Sequence, residues 1–227
     1  MNKKYIKNHA LASMIRGKSI EEAIRFSFSN HRDRMSVRAA QEYANDLYYL
    51  RTKSFSPKIV KTNAFPINIL VKTGINVFAF LKIRSLLNNN SYKLNYFNKN
   101  KYVYPDFKTP KLQIDGKNIN NCCIELKISN KRIKNSLKKH IKQCLNYSIK
   151  SRKPVLLLYL VYYRTKSKYL IYRSFPKFFL IKKINGRHFK KKHIQGYEQS
   201  YTNNCHHFLL SFYPHVPVAA LGNIKGR

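Results

Sequence analysis

The sequence is poor in acid. Only 9 of its 227 residues are Asp or Glu, against 45 Lys and Arg, so the formal net charge is +36 and the pI about 10.2. Self-repulsion on that scale opposes compaction unless a polyanion neutralises it, and nucleic acid is the obvious polyanion. An anionic membrane surface is the weaker alternative, and a span is not expected. The longest apolar run, Pro154 to Tyr163 (PVLLLYLVYY), is about half of the roughly 20 residues a bilayer requires, so it reads as a buried strand. Part of the Lys, Asn, Tyr and Ile richness could be drift in an AT-rich genome, but drift explains the shortage of acids less easily.

Other absences narrow the class further. The four cysteines, Cys122, Cys123, Cys144 and Cys205, form no disulfide framework, and no secretory signal opens the chain. An intracellular, reducing location follows: nucleoid or cytoplasm, with an organelle matrix open because the acid-free N-terminus also suits a transit peptide. The reading preferred for that N-terminus is a basic arm. No Gly-rich phosphate loop is present, which gives no support to an ATP-driven activity. Cys122 and Cys123 read as small buried residues. In the tail, His188, His193, Cys205, His206, His207 and His215 lack the compact spacing of a zinc module.

The apolar fraction of 44% is enough for one domain with a real core. Residues 1–53 read as a helical N-terminal segment. Ser19 and Glu22 suggest a capping box before a helix over 20–29, and a second helix is expected from Ser36 to Thr52, with Val37, Ala40, Ala44, Leu47 and Tyr48 on one stripe. Residues 54–184 read as the α/β core. Phe65 to Val71 and Ile75 to Ile83 are rich in β-branched and aromatic residues and are expected as strands, with a helix open for the second. The Asn-rich stretch Asn88 to Asn100 reads as a surface loop. Strands are then expected at Tyr102 to Phe107, Lys111 to Ile114 and Asn121 to Ile128. The last two flank Asp115-Gly116, a turn that favours a hairpin because Gly supplies positive φ. Residues 131–150 change to helical period, Pro154 to Tyr163 is a strand, and Tyr169 to Phe175 and Phe178 to Ile184 are two more. Residues 185–227 read as a basic, Cys/His-bearing extension.

Within this frame the scarce acids are unevenly placed. Three of the nine, Asp106, Asp115 and Glu125, fall between residues 105 and 127. Side chains alternate along a strand, so Glu125 and Lys127 share one face and Leu126 takes the other. The hairpin would bring Asp106 beside Glu125, and two carboxylates with the Leu126 carbonyl make a hard-oxygen site suited to Mg²⁺, with Mn²⁺ able to substitute. Asp115 is read as the turn residue. Each acid also has a plain reading: Asp106 as an exposed turn residue, Glu125 and Lys127 as a solvated strand face.

The order strand with Pro105-Asp106, hairpin, strand with Glu125-Leu126-Lys127, amphipathic helix, strand resembles the PD-(D/E)XK nuclease superfamily. Gln143 and Tyr147 on that helix resemble the Gln-x-x-x-Tyr element of its RecB/Cas4-like branch, although residues four apart are also ordinary helix neighbours. The resemblance covers about residues 100–163 and implies a restriction-endonuclease-like α-β-β-β-α-β core around a mixed sheet. It implies a Mg²⁺-dependent deoxyribonuclease with Asp106 and Glu125 on the metal, Lys127 assisting the attacking water, and Gln143 and Tyr147 positioning the strand. Lys131, Arg132, Lys134, Lys138 and Lys139 would grip phosphates, DNA more readily than RNA. It further implies a glutamate from the first core helix, for which Glu42 is the best-placed candidate, with Glu22 and Asp46 competing. Members of the superfamily often dimerise, so a homodimer is open here. The reading from a different class is a non-catalytic RNA-binding protein, such as a ribosomal protein of an AT-rich organelle or symbiont, for which this charge is ordinary.

Overall fold

The computed structural model describes residues 3–29, 36–83, 86, 105–114, 116–130, 134–164, 172–183 and 189–193. The surface loop expected at Asn88 to Asn100, the turn residue Asp115, the phosphate-gripping Lys131 and Arg132, and Cys205, His206, His207 and His215 of the tail lie outside the described residues.

The N-terminal segment is helical, but its first element is longer than expected. Helix α1 runs Lys3–Ser29 without a break at Ser19, whose hydroxyl donates to the Ile15 carbonyl at 3.0 Å instead of capping a new helix. Ala12, Arg16, Ser19, Ile20, Ala23, Ile24, Ser27 and Phe28 form its buried stripe at helical spacing. The helix α2, Val37–Thr52, matches expectation: the Ser36 hydroxyl accepts from the Ala39 N–H at 3.1 Å, and Ala40, Ala44, Tyr48 and Thr52 are buried.

The strand expected over Phe65 to Val71 is not formed, and for Ile75 to Ile83 the helix left open is what forms, as far as Phe80. Pro57 starts a short helix α3, Pro57–Ala64, and α4 then spans Ile67–Phe80. Ile67, Leu70, Val71, Thr73, Gly74, Val77 and Phe78 are its buried positions, and the apolar ones among them keep a spacing of three and four that local β-propensity obscured. Gly74, which lies between the two segments expected as strands, is where α1 crosses. A Cβ there would stand 2.4 Å from Ile24 Cδ1 and 3.3 Å from Leu160 Cδ1.

Among the described residues the remaining strands form a mixed five-stranded sheet in the order β1-β2-β3-β4-β5. Strands β1 (Phe107–Ile114) and β2 (Lys117–Asn130) form the expected hairpin, closed at Gly116 with φ +71°. The strand expected over Tyr102 to Phe107 is therefore described only from Pro105 on, and its last residue opens β1. Helix α5 (Lys134–Ser151) carries the chain back so that β3 (Val155–Arg164) lies parallel to β2. Strand β4 (Tyr172–Lys183) joins the described parts of the two segments read as separate strands. It pairs antiparallel with β3 and with β5 (Phe189–His193), a strand inside the segment read as a C-terminal extension.

The chain is thus α/β, a mixed sheet between helical layers with a helical N-terminal segment. Helices α1 to α4 cover one face through Cys122, Ile124, Leu126, Leu156, Leu158, Leu160 and Phe178. On the other face α5 supplies Cys144 and Tyr147 against Cys123, Val155, Leu157, Tyr159 and Val161. Every residue from Val155 to Val161 is buried because helices close both faces of β3, so the run is apolar throughout. Among the described residues no helix is long and apolar enough to cross a membrane.

Candidate functional site

The alternation of β2 decides where its charges go. Ile124 and Leu126 face α1 to α4, which leaves Glu125 and Lys127 on the α5 side, with Tyr159 of β3 in register beside Lys127. Glu125 is 1% exposed, and a carboxylate so placed must find partners or a proton. Lys127 Nζ donates to Glu125 Oε1, and Gln143 Nε2 donates to the same oxygen at 2.8 Å. Gln143 Nε2 also donates to the Tyr147 hydroxyl oxygen at 2.7 Å. The pair spaced four apart on α5 is thereby engaged inward. Among the described residues the other carboxylate oxygen, Glu125 Oε2, is buried with no hydrogen-bond partner.

Asp106 stands at the start of β1, one residue before the Phe107–Ile124 pair. Its Oδ2 accepts from the Leu126 N–H at 2.7 Å and lies 3.9 Å from Lys127 Nζ, so one ammonium sits between the two acids. An N–H and C=O of the same strand residue face the same edge. The Leu126 carbonyl therefore faces the edge on which Asp106 stands. Arg25 of α1 holds the Asp106 carbonyl, with a guanidinium N–H donating at 2.7 Å, and covers the Phe107 ring.

Arg25 brings with it a residue that sequence reasoning missed. Glu21, one turn earlier on α1, is half-buried and lies close enough to Asp106, Lys127 and Glu125 to be shifted by all three. Burial and then Asp106 push its carboxyl up to about 8. Glu42, the acid favoured from sequence, is not at this cluster: it is exposed on α2 and pairs with Arg38 at 3.0 Å. Glu22 pairs with Arg51 at 3.0 Å, and Asp46 is exposed. A signal for Glu21 did exist. Once Ile20, Ala23 and Ile24 point inward, the adjoining stripe is Glu21, Ile24, Arg25 and Phe28, and Glu21 has the Arg one turn on.

The electrostatics follow from two cations, Lys127 and Arg25, set among three acids. Burial and then Asp106 raise Glu125 to about 7. Burial also raises Asp106, against the pull of Lys127, the Leu126 N–H and Arg25. For Lys127, burial acts to lower the ammonium, but Glu125 and Asp106 outweigh it and hold it above its ordinary value. Tyr147 is raised by burial and by Glu125. His140, whose Nδ1 is 2.6 Å from the Tyr159 hydroxyl, is pushed down to about 4 by burial and by Lys127, and is neutral at pH 7.

No protein-family model, curated protein or solved structure matches this chain. The chemistry of the site therefore has to be read from its own donors. Among the described residues no three His, Cys, Asp or Glu side chains converge into a metal shell of their own. Two carboxylates and a carbonyl are nevertheless the hard-oxygen set that Mg²⁺ accepts when waters and phosphate complete it, and Glu125 Oε2 is a buried acceptor whose lone pairs no described donor takes up. The residues fit such an ion. The expected phosphate contacts are only partly placed: Lys138 and Lys139 are exposed on α5, and Lys134 opens that helix.

Proposed function

We propose that the chain is a divalent-metal-dependent nuclease that hydrolyses phosphodiester bonds of DNA, in the manner of the PD-(D/E)XK superfamily. The observation that carries this reading is the buried, unpartnered Oε2 of Glu125 beside Asp106 and Lys127. Asp106, Glu125 and the Leu126 carbonyl would hold Mg²⁺ or Mn²⁺, which would supply positive charge to the phosphate and lower the pKa of water there. Lys127 would orient the attacking water and offset charge developing on the phosphate. Gln143 fixes the rotamer of Glu125, and Tyr147 braces Gln143. Glu21, facing the same cluster from α1, would add an acceptor for protons or water. Lys138 and Lys139 would hold the strand along α5, with Lys131, Arg132 and Lys134 before them in sequence.

Supercoiled plasmid incubated with the protein and Mg²⁺ should be nicked or degraded. Glu125→Ala and Lys127→Ala should each abolish this while leaving DNA affinity within about threefold, because most phosphate contacts lie elsewhere. Equal cutting by both variants would sink the proposal. The net charge of +36 keeps the second reading in view, a non-catalytic RNA-binding protein of ribosomal type. It wins if structured RNA is bound more tightly than DNA and no metal produces cleavage.

A further inference from the structure

The hairpin that carries the acids also makes a second surface. Phe107 belongs to the core under α1 to α4, and so do Leu112 and Ile114, although an unbroken strand would put Phe107 and Leu112 on opposite faces. The same reversal occurs in β2 between Ile119 and Cys122. Both resets coincide at one step. Pro110 and Asn121, facing each other between the pairs Thr109–Cys122 and Lys111–Asn120, are missing from the register, and Asn121 has φ +49°. Beyond this kink the outer half of the ribbon presents the pairs Lys111–Asn120 and Gln113–Asn118 on the face opposite Leu112 and Ile119. That is the sheet face carrying Glu125 and Lys127.

Lys111, Asn118 and Asn120 are exposed there, while Gln113 partly braces the turn by donating to the Gly116 carbonyl at 3.2 Å. We propose that this outer ribbon, through Lys111, Asn118 and Asn120, reads base edges in the major groove of duplex DNA. Three features converge. A two-stranded ribbon has the width the B-form major groove admits, and side-chain amides and lysine are the groups that bond adenine and guanine edges. The ribbon belongs to a chain of net charge +36, which draws it to a duplex. It also continues the face of the acid cluster. Lys111 follows Asp106 by five residues, roughly 17 Å along a strand, or about five base-pair steps.

The nuclease reading sets only where the bases read would fall relative to a cut, so the test is made on binding. Wild type and Lys111→Ala/Asn118→Ala/Asn120→Ala select from a randomised 30-base-pair duplex library without added metal, at two salt concentrations. Wild type enriches a short motif. The triple variant loses that enrichment, binds the enriched duplex at least tenfold more weakly, and keeps bulk low-salt binding within about threefold, since phosphate contacts elsewhere carry it. The variant Asn120→Arg shifts one enriched position from adenine toward guanine, a gain that a merely unfolded protein does not produce. The same motif from the triple variant, no motif from wild type, or equal competition by duplex RNA, whose deep groove side chains do not enter, overturns the proposal. Plasmid nicking by the same proteins separates the two readings. Motif selection without Mg²⁺-dependent cutting refutes the nuclease and leaves the ribbon, whereas cutting with unaltered selection does the reverse.

Discussion

Glu125 couples the acid cluster to stability in a way that can be measured without any substrate. Its carboxyl rises from 4.5 to about 7 in the folded chain. A raised acid binds its proton more tightly when folded, so it contributes stability that is present below pH 4.5 and is lost as pH rises through the folded value. Between pH 5 and pH 8 this one group removes about 2.5 kcal/mol of folding free energy, an order-of-magnitude figure because Asp106 and Glu21 titrate with it. For a chain of this size that corresponds to roughly 5–10 °C in Tm. Melting curves of wild type and Glu125→Gln in EDTA at pH 5, 6, 7 and 8 isolate the effect, because every other group is common to both. Wild type should lose the larger share of its stability across that range. Adding Mg²⁺ should restore wild type more at pH 8 than at pH 6, since only the ionised acids attract the ion, and should leave the variant unmoved. Parallel pH profiles for the two proteins in EDTA would refute the electrostatic picture of the site.

Three further outcomes follow from particular contacts. Glu21→Gln should reduce Mg²⁺-dependent cleavage by roughly 10–100-fold and lower the pH at which it rises, whereas Glu42→Gln, a change at an exposed pair, should stay within about twofold in the same nicking assay. Gln143→Ala removes the donor shared by Glu125 and Tyr147 and should cost about 1–3 kcal/mol by denaturant titration, with cleavage falling more than DNA affinity does. Gly74→Ala should destabilise by about 1–3 kcal/mol through overpacking against Ile24. Ile24→Val in the same chain, which removes the Cδ1 that a Cβ meets first, should recover part of that loss, and additive losses would show that the crossing is not limited at this point.

How much of this was legible depended on whether the signal was local. Ser36 before α2, Asp-Gly in the hairpin, the period-two pattern around Glu125 and the helical stripe of α5 are each written within a few residues, and all four elements form where expected. The apolar continuity of Val155 to Val161 likewise announced a strand covered on both faces. The stretch from Phe65 to Ile83 misled because its β-branched and aromatic residues suit a strand locally. Its helical state is decided by α1, which fits over Gly74, and by the sheet beneath. Glu21 was missed for a related reason. The capping-box reading assigned Ser19 and Glu22 to a helix start, and only a helix continuous through Ser19 turns the Glu21–Arg25 stripe toward β1. Asp106, Glu125 and Lys127 could be read together because one tight turn relates them, while Glu21 reaches them from 85 positions upstream of Asp106 (106 minus 21) through tertiary packing alone.

The distribution of the nine acids bears on why a cation and a polyanion would be needed together. Glu22 and Glu42 each have an arginine, as expected in a chain with five bases for every acid. Glu21, Asp106 and Glu125 instead share Lys127 and Arg25, and burial and then Asp106 hold the carboxyls of Glu21 and Glu125 at about 8 and about 7. Once all three acids are ionised they outnumber these two cations by one, inside a positive protein. A phosphate drawn in by the surrounding lysines meets repulsion at the acids, unless they keep their protons or a divalent ion stands between. Protonated acids hold no cation, whereas an ion between the ionised acids and the phosphate satisfies both anions at once and completes its own shell. On the proposed reading, metal and DNA therefore bind with positive coupling: Mg²⁺ should tighten DNA binding to wild type at pH 8 even though added salt weakens it. For Asp106→Asn/Glu125→Gln, where the repulsion has been removed, Mg²⁺ should act only as salt.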